Sequence, residues 1–268
     1  MNTINEILNK KGKEKITMIT AYDYYTAKQV DEAGIDMILV GDSLGMVVLG
    51  YDSTIKVTME DMIHHAKAVN RGNENAFLVV DMPYLSYNVD MTESLKNAGR
   101  LIKETGAQAV KLEGGKRSVE TIKRIVELEI PVIGHLGLTP QSVNAMGGYK
   151  VQGKEEIQAN EILEDAKLLE KAGISCLVLE GIPENLAKII TKELSIPTIG
   201  IGAGKDVDGQ VLVYYDMLGY SEWVPKFVKK YGNTKENHIN AIKQYIDEVK
   251  KEIFPEKENI YKAQSKIK

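Results

Sequence analysis

The amino-acid sequence predicts a (β/α)8 TIM barrel with a C-terminal helical extension, and three observations carry that prediction. Eight short apolar, β-branched runs recur along the chain, stretches with helical periodicity separate most of them, and several runs end in an ionisable residue. Such alternation is the signature of βα units around a parallel sheet, whose chemistry collects at the carboxyl ends of the strands. An open doubly wound sheet is the alternative, and eight strands favour closure.

Taken in order, residues 1–15 are polar with scattered lysines, and the first strand follows at 16–22. A helix at 24–33 stops at Gly34, and the second strand, 37–42, ends Val40-Gly41-Asp42-Ser43. A helix at 58–70 begins with Thr58 and Asp61 and stops at Gly72 before the third strand, 77–82, which closes on Val79-Val80-Asp81-Met82-Pro83. Thr92 with Leu95 opens a helix at 92–104 ended by Gly106, and the fourth strand spans 109–113. Ser118 with Thr121 opens the helix at 118–128. None of these three starts completes a Glu/Gln capping box, although each places a hydroxyl at an N-cap. Strands at 131–136 and 176–180 flank a helix at 155–172 that stops at Gly173; a helix at 184–194 precedes strands at 197–202 and 210–215. Between Gly204 and Gln210 there is no room for a crossover helix, so the last strand begins later or that helix is one turn. A final helix is expected at 234–251, with a loosely held charged tail beyond Pro255. One domain spans 1–268, with 1–15 as an N-terminal segment and 220–268 as the extension and tail.

The chain has 268 residues and a net charge of -4, enough for a sizeable core and the wrong sign for a nucleic-acid surface. A single cysteine, Cys176, lies in an apolar run where a packed thiol is expected, and it fits a reducing compartment. No run reaches the ~18 apolar residues of a membrane span and no signal-peptide h-region is seen, so the protein is expected to be cytoplasmic, away from membranes.

Five strand ends carry ionisable groups: Asp42, Asp81, Glu113 in Lys111-Leu112-Glu113-Gly114-Gly115, His135 in Ile133-Gly134-His135-Leu136-Gly137, and Glu180 in Val178-Leu179-Glu180-Gly181. Any one of them alone reads equally well as a salt-bridging residue at a barrel rim. Acids converging on one buried spot repel each other and resist ionisation, and a hard divalent metal relieves that most simply. Lys111 and Glu113, two apart on a strand, share a face. They read as a cation and an anion at the barrel mouth, or as an ion pair supporting the barrel. No Cys/His cluster has zinc spacing, so Mg²⁺ or a similar ion is expected. His64-His65 lie mid-helix. The long segment 137–154 reads as a lid. Gly200-Ile201-Gly202-Ala203-Gly204 fails as a phosphate cradle, because Asp206 and Asp208 follow it and no adequate helix starts there; close packing explains it better.

Motifs along 16–219 are shared with one known family. They are Thr20-Ala21-Tyr22-Asp23, Val40-Gly41-Asp42-Ser43-Leu44-Gly45, Gly50-Tyr51-Asp52-Ser53-Thr54, Asp81-Met82-Pro83 and Lys111-Leu112-Glu113-Gly114-Gly115. Later come Gly134-His135-Leu136-Gly137-Leu138-Thr139-Pro140-Gln141-Ser142, Gly147-Gly148-Tyr149-Lys150-Val151-Gln152-Gly153, and Gly202-Ala203-Gly204 with Asp208-Gly209-Gln210. In these the chain resembles the 3-methyl-2-oxobutanoate (ketopantoate) hydroxymethyltransferases. The resemblance implies an Mg²⁺-dependent barrel that moves a one-carbon unit from 5,10-methylenetetrahydrofolate, as co-substrate, to 3-methyl-2-oxobutanoate. It implies Asp42 and Asp81 as metal ligands, with Glu113 among or beside them. Ser43 and Lys111 contact the oxo-acid, Asp42, Asp81 and His135 lie at the same substrate site, and Glu180 is the general base. It also implies a homo-oligomer, a decamer. The departures are Lys56 and Lys205 where proline is expected, and Tyr214-Tyr215 in place of a pair that often contains histidine.

The implied reaction is removal of the C3 proton to give a metal-stabilised enolate, which attacks the one-carbon unit and yields 2-dehydropantoate for pantothenate and coenzyme A biosynthesis. A phosphoenolpyruvate mutase or isocitrate lyase type of enzyme is the nearest rival, but Cys176 lacks the Lys-Lys-Cys-Gly-type loop those lyases carry. A barrel that only binds an oxo-acid is the other rival, disfavoured by the intact set of ionisable residues.

Overall fold

A computed structural model describes residues 1–262. Eight parallel strands close a barrel in sequence order. They are β1 Ile16–Thr20, β2 Met37–Val40, β3 Phe77–Asp81, β4 Ala109–Glu113, β5 Val132–Gly137, β6 Cys176–Glu180, β7 Thr198–Ile201 and β8 Gly209–Leu212. Pairing of Ile16 with Gly209 through Ile19 with Leu212 makes the closure. The helices are α1 Ile4–Asn9, α2 Tyr24–Glu32, α3 Leu44–Val47, α4 Met59–Gly72, α5 Met91–Thr105, α6 Val119–Val126, α7 Val143–Met146, α8 Glu156–Ala172, α9 Glu184–Glu193, α10 Tyr214–Met217 and α11 Thr234–Lys250.

Every residue of β2, β3 and β4 is buried, because inward side chains fill the barrel while outward ones pack on helices. One apolar cluster holds Ile16 and Met18, Met37 and Leu39, Phe77 and Val79, Ala109, Ile133, Cys176 and Val178, Ile199 and Ile201, and Val211. Successive residues of a strand face opposite sides, so these alternate positions line the interior. Continued by the same step of two, the series reaches Asp81, Lys111, Glu113, His135 and Glu180. The inner face therefore turns from apolar to ionisable at the carboxyl end of the barrel.

The amino end of the barrel is sealed by α1, which the sequence reading missed. Its Ile7 is fully buried in the same cluster, and Thr3 with Glu6 forms a capping box. Lys10 pairs with Asp36 at 2.7 Å and Lys11 with Asp208 at 2.7 Å, fastening the segment to the barrel base.

Helix boundaries correct several expectations. Thr58 does form a capping box on α4, because Asp61 serves in place of Glu. Asp90, not Thr92, caps α5, accepting from Glu93 N–H at 2.9 Å. Ser118 makes no cap bond on α6; its hydroxyl donates to Glu113 O at 2.9 Å. Gly106 and Gly173 end α5 and α8 in the left-handed region, and α4 ends on Gly72 itself, with Asn73 as its C-cap. A Cβ on Gly72 would stand 2.3 Å from Tyr24 O, so that glycine serves the contact of α4 with α2. His65 of α4 donates through Nδ1 to Tyr22 O at 2.6 Å.

The seventh connection contains no helix. Residues 202–208 return directly to the barrel base, and Asp208 secures the turn by accepting from Thr198 N–H at 2.9 Å. The last strand ends at Leu212, before α10. The chain divides into two compact units, Met1–Tyr214 and the portion from Tyr215 onward. In the second unit, α11 buries none of its residues. The expected tail beyond Pro255 is described as far as residue 262; 263–268 lie outside the described residues. Among the described residues no helix is long and apolar enough to cross a membrane.

Candidate active site

The ionisable residues expected at the strand ends meet in one network. Lys111, 4% exposed, pairs with Asp81 Oδ1 at 2.9 Å by charge rather than by an aligned hydrogen bond. Its Nζ also stands 3.3 Å from His135 Nδ1. The same imidazole bridges two acids, with Nδ1 3.4 Å from Glu113 Oε1 and Nε2 3.2 Å from Glu180 Oε2. Asp42, just past β2, donates its N–H to Asp81 Oδ2 at 3.1 Å. Ser43 joins the rim, its hydroxyl 2.8 Å from that of Tyr22.

Close backbone approach sets the position of Glu180. At Gly137 φ is 93°, and a Cβ would stand 2.2 Å from Glu180 O, so only glycine lets β5 and β6 end side by side there.

Burial holds the Asp42 carboxyl well above the usual range, reinforced by the negative Asp81 and Glu113. Burial also raises Asp81, against the pull of Lys111. Glu113 goes the other way: burial is outweighed by its His135 contact, the Lys111 charge and the N–H of Gln141. For His135, burial and the Lys111 cation oppose protonation, yet the contacts with Glu113 and Glu180 push it up to about 9. Lys111 is raised because three acids outweigh its burial.

The donor set suits a hard divalent cation. Asp42 and Asp81 are two buried carboxylates that repel each other, and Asp81 Oδ1 lacks an aligned donor. Mg²⁺ takes one or two carboxylates and completes its sphere with water and substrate oxygens. Among the described residues no three His, Cys, Asp or Glu side chains form a metal cluster. Glu113 Oε2 is taken by Gln141 N–H at 3.1 Å.

Two participants carried no assigned role in the sequence. Gln141 was visible only as part of a motif, and Tyr87 had no signal beyond being an aromatic in the loop after β3. Both are buried, and they bond to each other at 2.7 Å. They belong to loops, whose paths periodicity does not determine. The expected lid, 137–154, contributes Gln141 and α7 and reaches α3 where the Tyr149 hydroxyl donates to Met46 Sδ at 3.6 Å. Cys176 sits at the base of β6, fully buried, its thiol pushed up to about 12 by burial and the Asp208 charge; it is no nucleophile.

Comparison with known proteins places this site in a family. The family model for ketopantoate hydroxymethyltransferase matches residues 1–257. A 3-methyl-2-oxobutanoate hydroxymethyltransferase from Clostridium kluyveri is 61% identical over 96% of this chain and 92% of its own length. Another from Syntrophus aciditrophicus is 57% identical over 95% and 93%. Among solved structures, 2,3-dimethylmalate lyase, a PEP mutase/isocitrate lyase superfamily member, shares the fold with a TM-score of 0.62 at 15% identity, covering 99% of this chain and 92% of that one. Phosphonopyruvate hydrolase in complex with oxalate and Mg²⁺ gives 0.63 at 12% identity, covering 98% and 93%. An inward-facing strand-end site, an inert cysteine and near-complete relatives all agree: the chain is an enzyme, and it belongs to the ketopantoate hydroxymethyltransferase family.

Proposed function

We propose that this enzyme transfers a hydroxymethyl group from 5,10-methylenetetrahydrofolate to 3-methyl-2-oxobutanoate, giving 2-dehydropantoate for pantothenate and coenzyme A biosynthesis. The observation that carries the reading is the sharing of one imidazole, His135, between Glu113 and Glu180, beside a buried ammonium. That arrangement separates a proton acceptor from a cationic, oxygen-binding side. Asp42 and Asp81 would hold Mg²⁺, which supplies Lewis-acid stabilisation of negative charge on the oxo-acid oxygens. Lys111 places its ammonium beside the same oxygens, and Ser43, fixed by Tyr22, contacts the carboxylate. Glu180 takes the C3 proton. His135 Nε2 stands 3.2 Å from its Oε2, near enough to hold the carboxylate by charge without an aligned hydrogen bond. Water adds to the methylene carbon of the folate and its C–N bonds break, giving tetrahydrofolate and a one-carbon unit at the oxidation level of formaldehyde; the carbanion attacks that carbonyl carbon, whose oxygen takes up a proton and becomes the hydroxyl.

The test is exchange of the C3 hydrogen of 3-methyl-2-oxobutanoate with deuterated solvent, followed by NMR without folate. Glu180→Gln is expected to abolish exchange while oxo-acid binding persists; undiminished exchange removes Glu180 as the base.

A further inference from the structure

We propose that Gln141 is a positioning residue: its neutral amide, itself oriented by the Tyr87 hydroxyl, holds the Asp42 carboxylate in the setting a divalent cation needs. The inference rests on the reading of Asp42 and Asp81 as cation ligands. Gln141 is 5% exposed and Tyr87 2%. The amide can be oriented in only one way. Its Nε2 faces Met82 O at 3.0 Å and Asp42 Oδ2 at 2.8 Å, and a carbonyl oxygen can only accept. Its Oε1 therefore turns to Tyr87, whose hydroxyl donates to it at 2.7 Å. That hydroxyl accepts in turn from Glu113 N–H at 3.2 Å, and Gln141 N–H donates to Glu113 Oε2 at 3.1 Å. One residue thus grips both acids, by side chain and by backbone.

The choice of an amide has a physical consequence. A lysine or arginine at this place would cancel the Asp42 charge and compete with a metal; an amide satisfies one oxygen and leaves the charge in place. The amide holds Oδ2 of Asp42, so it fixes which oxygen is turned away from Gln141. Tyr87 keeps the amide from turning over, which would set its carbonyl oxygen against the carboxylate.

The experiment uses Mn²⁺ alone as probe, its binding to the full chain read by the EPR signal of free Mn²⁺, with no oxo-acid or folate present. The wild-type protein is expected to bind and Asp42→Asn to lose binding. Gln141→Met, matched in volume but without the amide, is expected to bind about 10–100-fold more weakly. Tyr87→Phe is expected to weaken binding by a smaller factor, and the double variant to bind no more weakly than Gln141→Met, because the tyrosine acts through the amide. A folded Gln141→Met with wild-type affinity overturns the inference, as does a fully additive double variant. If Gln141→Met does not fold, Tyr87→Phe decides it, and unchanged affinity there overturns it. Absence of binding by the wild-type protein overturns the metal reading together with this one, whereas binding by wild type matched in Gln141→Met overturns this one alone.

Discussion

Replacing Lys111 with methionine shortens the side chain by one atom and removes the ammonium that lies among the three buried acids Asp42, Asp81 and Glu113. Asp81, 2% exposed, then retains, among the described residues, only the Asp42 N–H at 3.1 Å. Removing one partner of a buried ion pair costs about 3–5 kcal/mol, because the other charge is left desolvated and unpaired. The carboxyl can escape part of that cost by staying protonated. Burial already raises Asp81, and Lys111 is the chief influence holding it down, so the variant raises it further. An acid whose native pKa exceeds its unfolded one stabilises the fold at low pH and loses that contribution as pH rises through the native value. The deficit of Lys111→Met should therefore be smallest at acidic pH and grow as pH rises above the ordinary carboxylate range. Adding Asp81→Asn should recover most of it, since a neutral pair has no orphaned charge. Urea unfolding followed by far-UV circular dichroism measures this across pH; Trp223, 79% exposed and outside the barrel unit, is a poor reporter. A deficit below about 1 kcal/mol that is flat with pH, or a double variant no better than the single, would refute the reasoning.

Asp31 accepts N–H bonds from Glu74, Asn75 and Ala76 at 3.2, 2.9 and 2.9 Å. Burial opposes its ionisation, but these donors hold its carboxyl below the usual range. Asp31→Ala should cost about 2–3 kcal/mol at neutral pH, a gap that narrows as pH falls through the native value and wild type loses the same bonds; unfolding curves at pH 7 and at about pH 3 measure it. Cys176, the single cysteine, should react with a chromogenic disulfide reagent only as fast as the barrel unfolds, and rapid stoichiometric labelling of the native protein would contradict its placement.

Much of the fold was legible because its elements repeat short-range rules. All eight strands lie where β-branched apolar runs predicted them, and the step of two that buries Phe77 and Val79 also turns Asp81 inward. Lys111 and Glu113 follow the same rule on β4. What escaped was decided by single contacts. Asp90 took the cap from Thr92 because the chain enters α5 two residues earlier. Ser118 was diverted to Glu113 O, and the stretch 202–208 needed no helix because Asp208 could reach Thr198.

Local pattern alone thus determined the barrel, its polar end and which residues face into it, since side-chain alternation and strand polarity are properties of the chain over a few residues. Only the tertiary structure decided how those residues are joined. The contact of His135 with both Glu113 and Glu180, and the grip of Gln141 on Asp42 across a separation of 99 residues, depend on where loops and neighbouring strands come to rest once the barrel has closed.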